Sequence, residues 1–127
     1  MAVCTVAPPE TNTPDFEINE AHRTIREKSK GLLDFKNQHL LYDMAILFIK
    51  NPGCRFAKED LALKIWAQEY NPEQHANLVY VSIKRLRTLI EPDFDSPRYI
   101  LRDRKGYYFN PQASVQFSFL PEEIHHA

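Results

Sequence analysis

The stretch NLVYVSIKRLRTLIEPDFDSPRYILRDRKGYYFN, residues 77–110, decides the fold. Its first part repeats apolar residues at helical spacing. With a turn of about 100° per residue, Val79, Ile83, Leu86 and Ile90 fall on one stripe, flanked by Ser82 and Leu89. Opposite them point Asn77, Val81, Lys84 and Thr88, with Tyr80 and Arg85 at the edges of that outer face and Arg87 on a flank. The pattern predicts a helix over about 76–90, stopped before Pro92. After the loop EPDFDSP come two β-rich runs, RYIL (98–101) and GYYFN (106–110). The connecting RDRK (102–105) is too polar for anything but an exposed turn. The second part is therefore a β-hairpin with a basic tip.

Upstream, KEDLALKIWA (58–67) predicts another helix, with Leu61, Ala62, Ile65 and Trp66 as its apolar stripe and Glu59 and Asp60 well placed in its first turn. Trp66 is expected in the core. AQEYNPEQH (67–75), broken by Asn71-Pro72, reads as a loop. Before it, QHLLYDMAILFIK (38–50) carries Leu40, Leu41, Met44, Ala45, Leu47 and Phe48 over a wide helical face, with Asn37 as the expected cap and Asn51-Pro52-Gly53 as the stop. In DFEINEAHRTIREKSKGLLDF (15–35), Phe16 and Ile18 alternate with polar residues, and Ile25 does so between Thr24 and Arg26. That predicts two or three short strands in a small antiparallel sheet. Residues 1–14 hold three prolines and little apolar content, as a disordered tail or linker does. Beyond the hairpin, in the extension 111–127, Val115, Phe117 and Phe119 alternate with serine and glutamine, a further strand over 114–119 that either pairs with the N-terminal sheet or docks a second protomer.

Charge is divided along the chain. The net formal charge is −1, yet residues 76–110 hold seven basic side chains against four acidic ones, and the remainder nine against thirteen. A polyanion would meet the basic part. No apolar run is long enough to span a bilayer, and the N-terminus MAVCTVAPPE resembles no secretion signal, so a cytoplasmic protein with no membrane partner is expected. Cys4 and Cys54 lie far apart and are expected as free thiols.

The ordered set NPG (51–53), KEDLALKIW (58–66), VYVSIKRLR (79–87) and YILRDRKGYYF (99–109) resembles the winged-helix effector domain of OmpR/PhoB-type bacterial response regulators. The resemblance spans about residues 15–110. It implies an α+β winged helix-turn-helix: a small N-terminal antiparallel sheet, three helices and a C-terminal β-hairpin wing. Three departures stand out. Tyr80 replaces an aspartate common in the family, Ala57 replaces a capping Ser or Thr, and the wing is one residue short at Arg104-Lys105-Gly106-Tyr107. No receiver domain accompanies the motif, so the chain is either a stand-alone domain or a piece of a larger protein.

What the resemblance implies is a transcriptional regulator that binds double-stranded DNA. The third helix enters the major groove, with Lys84 and Arg85 on guanine, Val81 and Tyr80 on the same face, and Asn77 and Thr88 on bases or phosphates. Arg87 is either a phosphate clamp or an internal ion pair with an acidic neighbour. Arg102, Arg104 and Lys105 of the wing reach the backbone or the minor groove, with Asp103 at the tip opposing deep insertion. The loop 67–75 corresponds to the family's RNA polymerase contact, unless it is a plain connector. Dimerisation on repeated half-sites is the associated expectation. The rival reading is a protein-interaction winged helix that has lost DNA binding. Enzyme readings find little support. His22, His39, His75, His125 and His126 show no metal spacing with one another or with the cysteines, although His125-His126 suits adventitious metal. The three glycines form no phosphate loop, and no cofactor is expected.

Overall fold

The computed structural model describes residues 13–35 and 37–118. Nearly all of the expected tail 1–14 lies outside the described residues, as do Cys4, Phe119, His125 and His126. The described chain forms two compact units, residues 13–32 with 113–118, and residues 33–112.

The first unit is a sheet of β1 (Phe16–Asn19), β2 (Thr24–Glu27), β3 (Gly31–Leu32) and β6 (Val115–Phe117), in the order β3-β2-β1-β6. Alternation places Phe16, Ile18 and Ile25 on its buried face, each 0% exposed. Glu27 is equally buried, and its carboxylate accepts from Ser29 N (2.8 Å), Ser29 Oγ (2.9 Å) and Lys30 N (2.7 Å), which satisfies it and shapes the β2–β3 turn. β1, β2 and β3 are antiparallel, but β6 runs parallel to β1, with Val115 opposite Phe16 and Phe117 opposite Ile18. β1 to β3 thus form the expected antiparallel sheet, and the added β6 makes the whole sheet mixed. A parallel neighbour needs a long crossover, and the whole segment between β1 and β6 supplies one. Asp15 and Ser114 bind each other reciprocally at the start of this pairing, through Ser114 N to Asp15 Oδ2 (2.9 Å) and Asp15 N to Ser114 Oγ (2.9 Å).

In the second unit, α1 (His39–Lys50) buries Leu41, Tyr42, Met44, Ala45, Phe48 and Ile49. The buried face is rotated from the expected one, since Leu40 is 43% exposed and Tyr42 and Ile49 replace it in the interior. Asn37 does not cap the helix. It adopts φ +57, a left-handed conformation that asparagine tolerates, and Gln38 takes the cap position without a side-chain bond.

α2 (Lys58–Trp66) buries Leu61 and Ala62, while Trp66 is only half-buried, at the rim and not in the core. Ala57 has no side-chain oxygen to cap this helix. The start is secured from the other side, by Asp60 Oδ2 accepting the Ala57 N–H at 2.8 Å.

α3 spans Pro72–Ile90, four residues earlier than expected. The Asn71-Pro72 pair starts the helix and does not break a loop. Asn71 Oδ1 accepts from Glu73 N (3.0 Å), and proline suits the first helical position because its missing N–H would find no partner there. The loop shrinks to residues 67–71. His75, 1% exposed, pins it: Nδ1 accepts from Asn71 N (2.8 Å), Nε2 lies 2.8 Å from Gln68 Oε1, and Tyr70 stacks on the ring.

Along α3, Val79, Leu86 and Ile90 are 0% exposed and Ile83 is 1% exposed. Burying each such side chain contributes roughly 1.5–3 kcal/mol, so this stripe seats the helix. β4 (Ile100–Asp103) and β5 (Gly106–Phe109) form the hairpin, with Ile100 opposite Phe109 and Asp103 opposite Gly106. Arg102 and Asp103 thus belong to β4, and only Arg104 and Lys105 make the turn. Phe56 bridges to Tyr107 and holds the hairpin beside the start of α2. The described architecture is the α+β winged helix-turn-helix, with an N-terminal sheet, three helices and a C-terminal hairpin.

Candidate nucleic-acid interface

The face of α3 opposite its buried stripe is polar, basic and open. Asn77, Tyr80, Lys84, Arg85 and Thr88 are exposed, and Val81 is half-buried among them. Helix geometry explains the grouping, since residues three or four apart share a face. Tyr80, half exposed, lies under the Lys84 ammonium, which sits 5.2 Å from the ring centroid. That contact orients the lysine without neutralising it. The Thr88 hydroxyl donates to Lys84 O at 3.0 Å, so its proton serves the helix.

Arg87 stands apart from this set. Its Nε (3.1 Å) and Nη2 (2.8 Å) both donate to Ile100 O on β4, and its guanidinium lies 5.9 Å from the Tyr107 ring. Of the two roles expected for it, the structure shows an internal one, but the partner is a backbone carbonyl and not an acidic side chain. Arg102 approaches the same buried Tyr107 ring, at 5.3 Å. The flank of the helix and the base of the wing therefore meet on one aromatic.

Arg102, Arg104 and Lys105 are all exposed on the wing. With Ala57 at the cap of α2 and Lys58 and Glu59 from its first turn, they line a concavity of about 130 Å³. Lys58 thus joins the basic set. Its place at the start of a helix with two acidic neighbours gave no sign of this.

Asp103 is not a bare negative charge at the tip. Its Oδ2 accepts from Arg55 Nε (2.8 Å) and its Oδ1 from Lys105 N (2.9 Å). Arg55 also donates through Nη1 to Gly53 O (2.7 Å), and its guanidinium carbon sits over the Tyr108 ring, 3.6 Å from the centroid. The bond from Arg55 holds the Asp103 carboxyl below the usual carboxylate range. Desolvation opposes this, and the Lys105 and Gly106 amides add to the lowering. A group whose folded pKa lies below its unfolded one contributes above that range and loses its contribution as pH falls through it. The wing-tip amides of Lys105 and Gly106 should accordingly shift in an NMR titration as pH drops below about 4, and Asp103→Asn should abolish that transition. An unchanged titration in the variant would remove Asp103 as its source.

Glu91 carries a signal in the sequence itself. A glutamate in the last turn or cap of a helix opposes the helix dipole and needs other partners to hold it there. It finds them in the backbone of residues 98–100.

Among the described residues, no three His, Cys, Asp or Glu side chains gather as a metal site, and no helix is long and apolar enough to cross a membrane. Cys54 is a free, exposed thiol.

Comparison with known proteins agrees with this geometry. The family model of the transcriptional regulatory protein C-terminal domain matches residues 38–109. The uncharacterized transcriptional regulatory protein YcbL of Bacillus subtilis (strain 168) is 39% identical over 59 residues, a match covering 46% of this chain and 25% of that protein. The chain thus spans about a quarter of the curated relative it matches. Among solved structures, the Thermotoga maritima response regulator DrrB, an OmpR/PhoB homologue, superposes with a TM-score of 0.63 at 26% identity, covering 76% of this chain and 42% of that one. The Klebsiella pneumoniae RstA DNA-binding domain, solved in complex with the RstA box, shares the fold with a TM-score of 0.63 at 23% identity, covering 75% of this chain and 90% of that one. The chain therefore belongs to the transcriptional regulatory protein C-terminal family, the OmpR/PhoB-type winged helices, which are DNA-binding regulatory domains and not enzymes.

Proposed function

We propose that this chain recognises a specific duplex DNA sequence to regulate transcription, with α3 in the major groove and the hairpin on the adjacent backbone or minor groove. The observation that carries this reading is the outer face of α3. A helix seated by a buried apolar stripe presents Lys84 and Arg85 outward, without an ion pair among the described residues. Arginine and lysine match the O6/N7 edge of guanine, and Val81 suits a thymine methyl. Asn77 and Tyr80 extend the same face. Thr88 is better suited to accepting than donating, given its bond to the helix. Arg102, Arg104 and Lys105, with Lys58, supply phosphate contacts. The complex of the similar RstA domain with its box supports this use of the fold.

Arg87, bonded to Ile100 O, is assigned to the inner edge of this surface. The RNA polymerase contact falls on the shortened loop 67–71, where Gln68 and Glu69 are exposed and His75 keeps the backbone in one shape. Preorganisation of that kind lowers the entropic cost of docking. A pair of chains would occupy repeated half-sites.

Selection from a random duplex library tests the reading. The expected result is an enriched motif containing guanine, arranged as a repeat if two chains bind together. A library that returns no enriched motif would favour the adapter reading, in which the winged helix binds protein.

A further inference from the structure

Ile100, the first residue of β4, has both of its backbone groups held by side chains of α3 and its cap. Its N–H donates to Glu91 Oε2 at 2.8 Å, and its carbonyl accepts from Arg87 Nε at 3.1 Å and Nη2 at 2.8 Å. Glu91 also accepts from Arg98 N at 2.7 Å and Tyr99 N at 3.0 Å. Arg87 and Glu91 are one helical turn apart, so they reach the strand from the same side of the helix.

Glu91 is 2% exposed, too deep to touch a duplex. Placing a carboxylate there is costly. It faces the negative end of the helix dipole and gives up its hydration, and only strong charge-assisted bonds offset this. Those bonds go to three consecutive amides at the root of the wing. The connection between helix and wing, residues 92–97, is irregular and largely exposed, so it cannot aim the hairpin by itself. The bonds of Glu91 and Arg87 fix the root of β4 against the last turn of α3.

On the DNA-binding reading above, we infer that Glu91, assisted by Arg87, is a positioning residue for DNA. It holds the wing at the angle from which Arg102, Arg104 and Lys105 reach the duplex that α3 reads. An apolar residue at this place would leave the Tyr99 and Ile100 N–H groups without these acceptors. What the carboxylate adds is a fixed direction for the hairpin.

A double-mutant cycle on the full chain tests this, using the duplex selected with the wild-type protein. Glu91→Gln keeps the shape but turns amide hydrogens toward backbone N–H groups. Binding is measured at a temperature where circular dichroism shows each variant folded. The expected loss for Glu91→Gln is about tenfold in affinity, with the slope of log K on log salt shallower by roughly two. In a background where Arg102, Arg104 and Lys105 are alanine, the same substitution should change nothing further. Should Glu91→Gln fail to fold, Arg87→Met is measured in the same cycle, with a smaller loss and the same non-additivity expected. An Arg87 that instead touches phosphate itself would give losses that add to those of the wing. Additive losses, or a folded variant with wild-type affinity and slope, would overturn the inference alone. A wild-type protein that binds no duplex would overturn the functional reading and this inference with it.

Discussion

Gly106→Ala is expected to destabilise the helical unit by about 4 kcal/mol and to detach the wing from the segment before α2. Gly106 adopts φ +142, where an L side chain is strained, and an added Cβ would lie 2.5 Å from Phe56 O, 2.7 Å from Phe56 C and 3.0 Å from Ala57 N. All three are backbone atoms, so no side chain can swing aside. Relief requires the two segments to separate. That breaks Tyr107 N to Phe56 O (3.0 Å) and Phe56 N to Tyr107 O (2.8 Å), and moves Phe56 from its edge-to-face contact with Phe48. Strain at such a φ costs about 1–3 kcal/mol, and each lost backbone bond about 1 more. Gly53→Ala is the control. Gly53 has φ +79, but the nearest atoms to an added Cβ are Pro111 side-chain carbons at 3.9 Å, so only left-handed strain of about 1–2 kcal/mol applies. Urea denaturation of the two variants separates the effects. Equal losses would show that the close approach to Phe56 does not matter.

The Lys84→Ala, Arg85→Ala double variant is expected to lose DNA affinity by about a hundredfold or more while remaining as stable as the wild type. Each good contact from a basic side chain to guanine discriminates by about 1–3 kcal/mol, and every 1.4 kcal/mol is a factor of about ten. Stability should hold because both side chains lie on the exposed face and alanine is the better helix former. Loss of the Lys84–Tyr80 contact removes little, since an exposed cation–π pair contributes about 0.5–1 kcal/mol. Filter binding or fluorescence anisotropy on the selected duplex reads the effect. Unchanged affinity would move the base-reading role off this face, whatever the wing does.

Periodicity carried the parts of this fold that the sequence made legible. Val79, Ile83, Leu86 and Ile90 share a stripe because a helix repeats every 3.6 residues, and the same turn exposes Lys84 and Arg85. Tyr107 and Phe109 face inward because strands alternate. What stayed hidden depends on partners distant in sequence or on dual-purpose residues. Asn71-Pro72 suits both a loop and a helix start, and only the closing bonds of α3 decide between them. Asn37 suits both a cap and a left-handed turn. Arg55 bonds to an aspartate 48 residues away, and Asp15 to a serine 99 away, separations over which no local pattern speaks. Arg87 stood on the flank with an internal role open to it, but its partner, Ile100 O, lies 13 residues away and carries no charge to mark it. Trp66 shows the limit of composition, since its size and apolarity pointed to the core, yet it stops at the rim.

The central claim is that the outer face of α3 and the wing together form a DNA-binding surface on a chain whose overall charge is slightly negative. Affinity for a random-sequence duplex, measured across a salt series, tests it most directly. Counterion release makes log K fall linearly with log salt, by roughly 0.9 for each phosphate neutralised. Binding at low salt with a slope of about −3 to −5 is expected, as Lys58, Arg102, Arg104, Lys105 and the α3 cations engage phosphates. No binding at low salt, or binding that salt leaves unchanged, would contradict the account.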